Sequence, residues 1–271
     1  MFMHDLKSDN KNLAFLMPAE RQKRILERLR LKGRVFATEL AREFSASEDK
    51  IRRDLRDLAA QGLCQRVYGG ALAISSASGS AIERSQQDLS RKHALGVALS
   101  ALVKRDQFLF VDAGSTNLVT ARSLPDGITV ATHDPRIAAT LIDRNGIDLI
   151  TIGGWIHPHI GAAIGGQALR GVIDLRPDVL ILGVCALDAE AGISVFNIED
   201  AEMKRTLIQG AGSVVAAVLN EKLKVGAPHR VGAVDLIADL VVEADAPQQV
   251  VETFAVRGVR IHHAGPANKS K

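Results

Sequence analysis

The sequence predicts an α/β protein in which an N-terminal winged helix-turn-helix is followed by a Rossmann-like, mostly parallel α/β domain. Three observations lead to this prediction. Short helical patterns precede a hairpin pattern, and the last of these helices, Ser47–Gly62, has an arginine-rich face. From Gln107 onward, short apolar runs alternate with helical patterns, as in a parallel sheet covered on both faces. Residues 18–74 hold 13 Lys and Arg against 8 Asp and Glu, whereas residues 75–271 hold 19 against 21, so only the front part is expected to meet a polyanion.

The first helices are short and well delimited. A helical pattern ends at Gly33, and Thr38 is expected to cap a second helix. Ser45-Ala46 then makes a tight connection to the Ser47–Gly62 helix. Two short helices joined in this way are typical of a helix-turn-helix.

The Ser47–Gly62 helix has two chemically different sides. Ser47 is a good N-cap, and Gly62 supplies a left-handed stop. One side carries the apolar residues Ile51, Leu55 and Leu58, and the opposite side carries Asp49, Arg53, Arg56 and Ala60, with Arg52 on the flank. An ordinary solvated surface would also explain three arginines, so the DNA-binding interpretation depends on the neighbouring segments.

The following segment, LCQRVYGGALAI, has the pattern of a hairpin. Gly69-Gly70 permits a tight reversal between its two strands. The hairpin would lie beside the helix as a wing, from which Arg66 and Tyr68 could reach phosphate or the minor groove. A plain helical bundle with a hairpin is the alternative, but the charge asymmetry favours a winged helix that binds DNA.

The rest of the chain divides into a linker and a second domain. Ser75–Ser80 is small and polar, as flexible linkers are, and one helix is expected over residues 83–102. Strands are expected at 108–111, 128–131, 148–152, 179–183, 213–219, 240–243 and 259–263, and helices at 118–124, 136–144, 166–173, 199–209 and 248–256. The expected boundaries are a mobile tail at 1–17, the winged helix at 18–74, a linker at 75–82, the second domain at 83–264 and a tail at 265–271.

Polar residues follow several of the predicted strands, and ligands of parallel sheets bind beyond the carboxyl ends of the strands. In Asp112–Asn117, Gly114 lets the backbone turn closely, and Ser115 and Thr116 offer hydroxyl groups to an anion. The stretch matches neither GxGxxG nor a Walker motif, so a single phosphate fits better than a pyrophosphate or a nucleoside triphosphate. A simple helix cap is the alternative. The other polar strand ends are Thr132-His133-Asp134, Gly153-Gly154, Asp188 and Asn220-Glu221-Lys222.

Residues 20–74 resemble the N-terminal winged helix of DeoR-family bacterial transcriptional regulators. The resemblance lies in ER at 20–21, ELAREF at 39–44, SEDKIRRDL at 47–55 and RVYGGA at 66–71. Lys50 stands where the family usually has Thr, and Tyr68 where it usually has His, so the operator sequence is not transferable from relatives. The residues predicted to contact DNA are Ser47, Lys50, Arg52, Arg53, Arg56, Arg66 and Tyr68.

Residues 91–245 resemble the effector domain of the same family, which is related to sugar-phosphate isomerases and deaminases. DAGSTN at 112–117 matches the family's phosphate loop, THD at 132–134 stands at its usual TNS, and EDAEMK at 199–204 matches a helical segment. Asp188 with Gly192 matches D-x-x-x-G, whereas NEK at 220–222 departs from D-x-x-K, which makes Lys224 a rival to Lys222. The predicted ligand residues are Asp112, Gly114, Ser115, Thr116, Asn117, Thr132, His133, Asp134, Gly154, Asp188 and Lys222.

Composition limits the setting of the protein. Cys64 and Cys185 are far apart and form no metal or CxxC spacing, there is no secretory signal, and no apolar run is long enough for a membrane span. We therefore expect a cytoplasmic protein without a cofactor, a bound metal or catalytic residues.

The combined prediction is a DNA-binding transcriptional regulator, and the favoured form is a repressor of carbohydrate metabolism genes. Its first expected partner is a double-stranded DNA operator. The resemblance also implies a phosphorylated sugar or related effector, and further copies of the same chain. One alternative is a sugar-phosphate isomerase or deaminase with an appended nucleic-acid-binding domain, for which the sequence offers no matched acid/base set. Non-specific nucleic-acid binding by the basic front part is another, but it leaves the second domain unexplained.

Overall fold

The computed structural model describes residues 17–73 and 81–266 of the 271 residues. They form two compact units, one of residues 17–73 with Val225–Pro228, and one of residues 81–224 with 229–266. The predicted tail at 1–17, residues 75–80 of the predicted linker and the predicted tail at 265–271 lie largely or wholly outside the described residues.

The first unit is a three-helix domain with a small antiparallel sheet. Its elements are α1 (Pro18–Lys32), β1 (Arg34–Phe36), α2 (Ala37–Glu43), α3 (Glu48–Ala60), β2 (Cys64–Val67) and β3 (Gly70–Ala73). The sheet has the order β1-β3-β2, and the core lies between the three helices, where Leu29, Phe44 and Leu55 are each 2 % exposed. The predicted winged helix-turn-helix is therefore confirmed.

The prediction that Thr38 caps the second helix is wrong. The helix begins at Ala37, so Thr38 lies inside it, and no side chain caps it. The Ala37 N–H donates instead to the Gly69 carbonyl at 2.8 Å, because β1 leads straight from its pairing with β3 into the helix. Backbone pairing with the wing thus replaces a side-chain cap.

The single helix expected over residues 83–102 is two helices, α4 (Ala81–Gln86) and α5 (Leu89–Ser100). The helix is interrupted at Asp88, whose backbone is left-handed with a φ of 52°. The Lys92 ammonium, on a residue that is only 3 % exposed, donates to the Arg84 and Gln87 carbonyls at 2.6 Å each. These bonds satisfy carbonyls at the end of α4 that a continuous helix would have used.

The second unit is built on a seven-stranded parallel sheet, counted over its described residues. In chain order its further elements are β4 (Phe108–Val111), α6 (Ser115–Ala121), β5 (Ile128–Thr132), α7 (Pro135–Leu141), β6 (Ile147–Thr151), β7 (Trp155–His157), β8 (Ala162–Ile164), α8 (Gly166–Val172), β9 (Val179–Leu182), β10 (Ala186–Asp188), β11 (Gly192–Val195), α9 (Ile198–Gly210), β12 (Ser213–Val218), β13 (His229–Gly232), β14 (Asp239–Val242), α10 (Gln248–Ala255) and β15 (Arg260–His263). The strand order is β15-β14-β12-β9-β4-β5-β6, with parallel pairing throughout.

Both faces of this sheet are buried. Along β4, Leu109 and Val111 belong to one apolar cluster, and Phe110, between them, belongs to another. The same alternation divides Ile181 from Leu180 in β9. The continuous apolar runs of the sequence thus reflect strands covered on both sides, and the predicted Rossmann-like α/β class is confirmed.

Two small antiparallel sheets were not predicted. Strands β7 and β8 form a hairpin, and β10, β11 and β13 form a second sheet. Each of these strands is three or four residues long, too short to give a clear period in the sequence. No helix in the described part of the chain has both the length and the apolar character that crossing a bilayer requires.

Candidate functional site

Helix α3 presents its basic residues on an exposed face. Lys50, Arg52, Arg53 and Arg56 are all exposed, whereas Ile51, Leu55 and Leu58 pack into the core. The Ser47 hydroxyl accepts the Lys50 N–H at 3.4 Å, so this serine caps the helix, as its sequence position predicts. Arg52 also pairs with Glu48 at 2.8 Å.

The wing begins directly after α3 and packs against it. Arg66 is exposed on β2, and Tyr68 stands fully exposed in the turn between β2 and β3. Gly69 occupies the left-handed region in that turn, with a φ of 80°. A fully exposed aromatic side chain at a hairpin tip gains nothing from the protein core and is available to an outside partner.

A buried ion pair, not anticipated from the sequence, joins α3 to α1. The Arg21 guanidinium donates to both oxygens of Asp54, at 2.5 and 3.1 Å, and Asp54 is 3 % exposed. Asp54 occupies the buried side of α3, so this pair fixes how the helix is rotated about its own axis. That rotation determines which way the exposed arginines face.

In the second unit, the centre of the candidate site is Asp112, directly after β4 and completely buried. One carboxylate oxygen accepts the Gly183 N–H at 2.8 Å and the Lys204 ammonium at 2.5 Å. The other accepts the Ala113 N–H at 2.8 Å and lies 2.9 Å from Nε2 of His133. Asp112 therefore ties together the carboxyl ends of β4, β5 and β9 with helix α9.

The loop that follows Asp112 is buried as well. Gly114 precedes α6, and Ser115 is 9 % exposed. The Asn117 amide donates to the carbonyls of Asp112 and Ile181, at 2.9 and 3.1 Å, and so closes the loop onto β9. The Thr116 hydroxyl oxygen is buried and makes no hydrogen bond with any described residue. Such an orphan group costs roughly 1–3 kcal/mol unless something else binds it.

The three polar residues at the end of β5 support this loop. The Thr132 hydroxyl donates to the Val111 carbonyl at 2.7 Å, and Nδ1 of His133 lies 2.7 Å from the Ala163 carbonyl. Asp134 caps α7 and pairs with Arg136 at 2.5 Å. All three are at most 1 % exposed.

The remaining predicted ligand residues occupy different surroundings. The Lys222 ammonium donates to the Val184 carbonyl at 2.7 Å, which brings it to the end of β9, whereas its rival Lys224 is exposed. The Asp188 carboxylate accepts the N–H groups of Glu190 and Ala191, at 2.9 and 2.8 Å, and closes the turn between β10 and β11. Gly154 packs against Ala168 of α8, where an added Cβ would lie 3.3 Å from the alanine Cβ.

Charged groups that were not predicted as site residues also surround Asp112. Lys204 and Asp200 lie on α9, are 2 % and 5 % exposed, and approach each other to 3.4 Å. The Asp200 oxygen in this ion pair is buried and has no hydrogen-bond partner besides the ammonium among the described residues. Arg84 of α4 interacts electrostatically with Asp200 and with Cys185, which follows β9.

Burial and neighbouring charges alter the proton affinity of these groups. Burial alone would raise the pKa of Asp112, but the charge of Lys204 and the hydrogen bond with His133 hold it well below its usual range. Burial would lower the pKa of Lys204, but Asp112 and Asp200 raise it. The pKa of Asp200 is raised because burial outweighs the nearby lysine. Burial lowers the pKa of Lys222.

Two family models match the chain. The DeoR C terminal sensor domain matches residues 87–244, and the DeoR-like helix-turn-helix domain matches residues 21–77. This chain belongs to the DeoR family of transcriptional regulators.

Curated relatives extend over most of this DeoR-family chain. The glycerol-3-phosphate regulon repressor of Escherichia coli K12 is 26 % identical over 245 residues, which are 89 % of this chain and 97 % of that protein. The HTH-type transcriptional regulator GlpR of Haloferax volcanii is 31 % identical over 212 residues, or 77 % and 83 % of the two chains. The HTH-type transcriptional repressor CsqR of Escherichia coli K12 is 27 % identical over 212 residues, or 77 % and 81 %.

The two matched regions of this DeoR-family regulator contain the two candidate sites. The helix-turn-helix match includes α3 and the wing, and the sensor-domain match includes Asp112–Asn117, Lys204 and Lys222. Within residues 17–73 and 81–266, no group of three or more His, Cys, Asp or Glu side chains is placed to hold a metal ion.

Sequence reasoning missed Lys204, which matters most to the geometry. A signal for it was present, because Asp200 and Lys204 are four residues apart on the same face of α9 as the core residues Met203 and Leu207. Oppositely charged residues on an apolar helix face are buried only when they are paired or neutralised. Because Asp200 and Lys204 can neutralise each other at this spacing, their place on α9 predicts buried charge but does not reveal that Lys204 also binds Asp112.

Proposed function

We propose that this DeoR-family protein is a repressor of carbohydrate or sugar-phosphate metabolism genes, and that a phosphorylated sugar binds at Asp112–Asn117 and releases it from DNA. The observation that carries the effector part is the buried, unpartnered hydroxyl of Thr116, in a stretch whose first residue, Asp112, accepts the Lys204 ammonium. The names of the relatives support the same class of effector, because one of them is the repressor of a glycerol-3-phosphate regulon.

Two buried oxygens in the second unit suit a phosphorylated polyol. The Thr116 hydroxyl, which makes no hydrogen bond with a described residue, can donate to a phosphate oxygen. The Asp200 oxygen that pairs with Lys204 at 3.4 Å can in addition accept a hydrogen bond from a sugar hydroxyl. A ligand that supplies these hydrogen bonds would remove the free-energy cost of burying the two groups without them.

Cations that influence one another lie around the same edge of the sheet. Besides burial, the charges of Lys222 and Arg84 lower the pKa of Lys92, and the charge of Arg84 lowers the pKa of Lys222. Burial first, and then the charge of Lys222, lowers the pKa of Lys92 to about 8. Like charges held together in this way repel one another, and a bound dianion would relieve that repulsion.

The DNA-binding part of the proposal places α3 in the major groove. Arg53 and Arg56 are exposed on the side of α3 that faces away from its core residues, and they are proposed to read bases. Arg52, Arg66 and Tyr68 are proposed to contact phosphate or the minor groove. One small winged helix reads few base pairs, so we also propose that the protein binds a two-fold operator as a homo-oligomer.

The decisive experiment measures operator affinity with and without candidate sugar phosphates, in the wild type and in Thr116→Val. Loss of one charge-assisted hydrogen bond should weaken effector binding by about 1.5–3 kcal/mol, which is more than tenfold. The variant should bind the operator like the wild type but stay bound at effector concentrations that release the wild type. Thr253→Val is the matched control, because that hydroxyl donates to the Val250 carbonyl within α10.

Three results would contradict the proposal. A full effector response in Thr116→Val would place the phosphate elsewhere, and loss of operator binding without effector would give the loop a structural role. For the DNA interface, Arg53→Ala should cost about 1–3 kcal/mol of specific operator affinity. Operator binding that is unchanged in Arg53→Ala, Arg52→Ala and Arg66→Ala would remove α3 from the contact.

We also propose that the protein binds its effector without converting it. Asp112, the central carboxylate, already has its oxygens engaged by four groups, so it is not free to act as a base. Sugar phosphate incubated with the protein should be recovered unaltered by NMR, and steady isomerisation or deamination would favour an enzyme instead.

A further inference from the structure

We propose that His133 is held as a doubly protonated imidazolium that positions Asp112 and the loop after it, so that anion binding at this loop weakens when the proton is lost. The loop's role as an anion site rests on the proposed function above. The charge of the ring rests on geometry alone.

Each ring nitrogen of His133 faces an oxygen. Nδ1 lies 2.7 Å from the Ala163 carbonyl, and a carbonyl oxygen can only accept, so Nδ1 carries a proton. Nε2 lies 2.9 Å from a carboxylate oxygen of Asp112. If that carboxylate is ionised, Nε2 must carry a proton too, because two lone pairs at this distance would repel.

The surroundings of Asp112 require it to be ionised. Its four acceptor positions face the N–H groups of Ala113 and Gly183, the Lys204 ammonium and the His133 ring. A protonated carboxyl would have to aim its hydrogen at one of the three N–H donors or at Nε2 of His133. Since the imidazole nitrogen is a stronger base than a carboxylate, a proton shared between Asp112 and His133 lies on the ring. The Ala113 N–H also lies 3.1 Å from Nε2, but it is closer to the carboxylate, at 2.8 Å, and so needs no acceptor on the ring.

The charged groups that act on the ring are Asp112 and, from α9, Lys204 and Asp200. Burial and Lys204 favour the neutral ring. The hydrogen bond and charge of Asp112 and the Ala163 carbonyl outweigh them, so the pKa of His133 is raised. The ring is therefore expected to stay charged above the pH at which an exposed histidine loses its proton.

Loss of this proton is expected to shift the backbone of the loop that follows Asp112. A neutral ring that keeps its bond to Ala163 turns an Nε2 lone pair toward Asp112, and the nearest proton available to that lone pair is the Ala113 N–H. Ala113 leads directly into Gly114, Ser115 and Thr116, so a shift of its N–H changes the anion-binding stretch itself. His133, which is 1 % exposed, thus acts on a ligand through Asp112 and is a positioning residue.

The first test is histidine-labelled nitrogen NMR on the full-length protein without ligand, followed from about pH 6 to pH 9. The resonances of His133 are those missing from His133→Asn. We expect both of its ring nitrogens to be protonated at neutral pH and to remain so above the pH at which an ordinary exposed histidine loses its proton. A neutral His133 ring at neutral pH overturns the proposal, whatever the loop binds.

The second test measures sulfate affinity over the same range by calorimetry, since the charge of sulfate stays constant there. In the wild type the dissociation constant should rise by about tenfold as His133 loses its proton, the loss expected for one charge-assisted hydrogen bond. His133→Asn keeps an amide that can donate to Asp112 but cannot titrate, so its affinity should follow a flatter profile. Lys92 titrates in both proteins, so the difference between them isolates His133.

The matched control is His93→Asn, because His93 is exposed on α5 in the same unit. It should keep the wild-type pH profile. Equal profiles for wild type and His133→Asn would overturn the positioning role. Absence of sulfate binding at every pH would overturn the proposed anion site, and the NMR result would still decide the charge of the ring.

Discussion

Replacing Lys204 by methionine is expected to destabilise the second unit severely. The ammonium lies 2.5 Å from Asp112 and 3.4 Å from Asp200, and all three residues are at most 5 % exposed. At an effective dielectric constant of about 20, the nearer contact alone corresponds to about 6–7 kcal/mol of attraction before the cost of desolvation. Removing one partner of a buried pair costs about 3–5 kcal/mol, since the other charge stays buried. In a domain of roughly 150–250 residues, that loss lowers Tm by about 6–20 °C.

The assay is urea unfolding followed by tryptophan fluorescence. The chain has one tryptophan, Trp155, and it lies on β7 of the second unit, so the signal reports that unit. Lys104→Met is the matched control, because Lys104 is exposed, and it should change the free energy of unfolding by no more than about 0.5 kcal/mol. A loss below about 1 kcal/mol in Lys204→Met would refute the reasoning.

The pH dependence of this defect has a defined sign. In the wild type the folded-state pKa of Asp112 lies below its unfolded value, so the stability it contributes is present above the unfolded pKa and is lost as the pH falls through the folded one. Without Lys204, burial raises the folded-state pKa values of Asp112 and Asp200, so the folded variant takes up protons that the unfolded chain does not. The difference in free energy of unfolding between the wild type and Lys204→Met should therefore become smaller as the pH falls from 7 to about 5.

Two further predictions concern the other charged groups. Asp54→Ala removes the carboxylate that neutralises Arg21, so it should destabilise the first unit by about 3–5 kcal/mol. It should also weaken operator binding, although the Asp54 side chain is buried and does not contact DNA. Wild-type operator affinity in this variant would contradict the role given to the pair. Burial lowers the pKa of Lys92 to about 8, so sulfate binding at that pH should take up a proton, seen as a dependence of the calorimetric heat on the buffer. The dependence should be smaller in Lys92→Met than in the wild type, and an equal dependence in the two proteins would separate Lys92 from the anion site.

The sequence predicted the fold and the location of the candidate site because both follow from local patterns. Apolar runs separated by helical patterns specify a parallel sheet, and the carboxyl ends of its strands converge on one edge. Asp112–Asn117 and Thr132–Asp134 could therefore be placed together before any distance was known. The strand ends at Thr132 and Leu182 lie where the patterns put them, to within one residue.

The roles of individual side chains depend on partners that are remote in sequence. Lys204 is 92 residues from Asp112, and His133 is 21 residues away, so no spacing rule connects them. The sequence pattern places Arg84 in one helix over residues 83–102, and nothing in that pattern indicates that the helix is interrupted at Asp88. At Gly183 an added Cβ would lie 2.0 Å from the Ala113 carbonyl oxygen, so only glycine fits there. No local sequence pattern reveals this close approach of two strand ends.

The geometry around Asp112 also changes how a phosphate loop that begins with an aspartate should be understood. A free carboxylate at this position would repel a phosphate and could not serve as its ligand. Here the carboxylate is saturated by Lys204, by His133 and by two backbone N–H groups, so it holds the loop while its charge is compensated. With His133 protonated, Asp112, Lys204 and His133 carry one net positive charge, and burial raises the pKa of the neighbouring Asp200, which lessens the negative charge that it adds. In the proposed function the ligand binds the Thr116 hydroxyl, and Asp112 contributes by fixing the stretch that presents it.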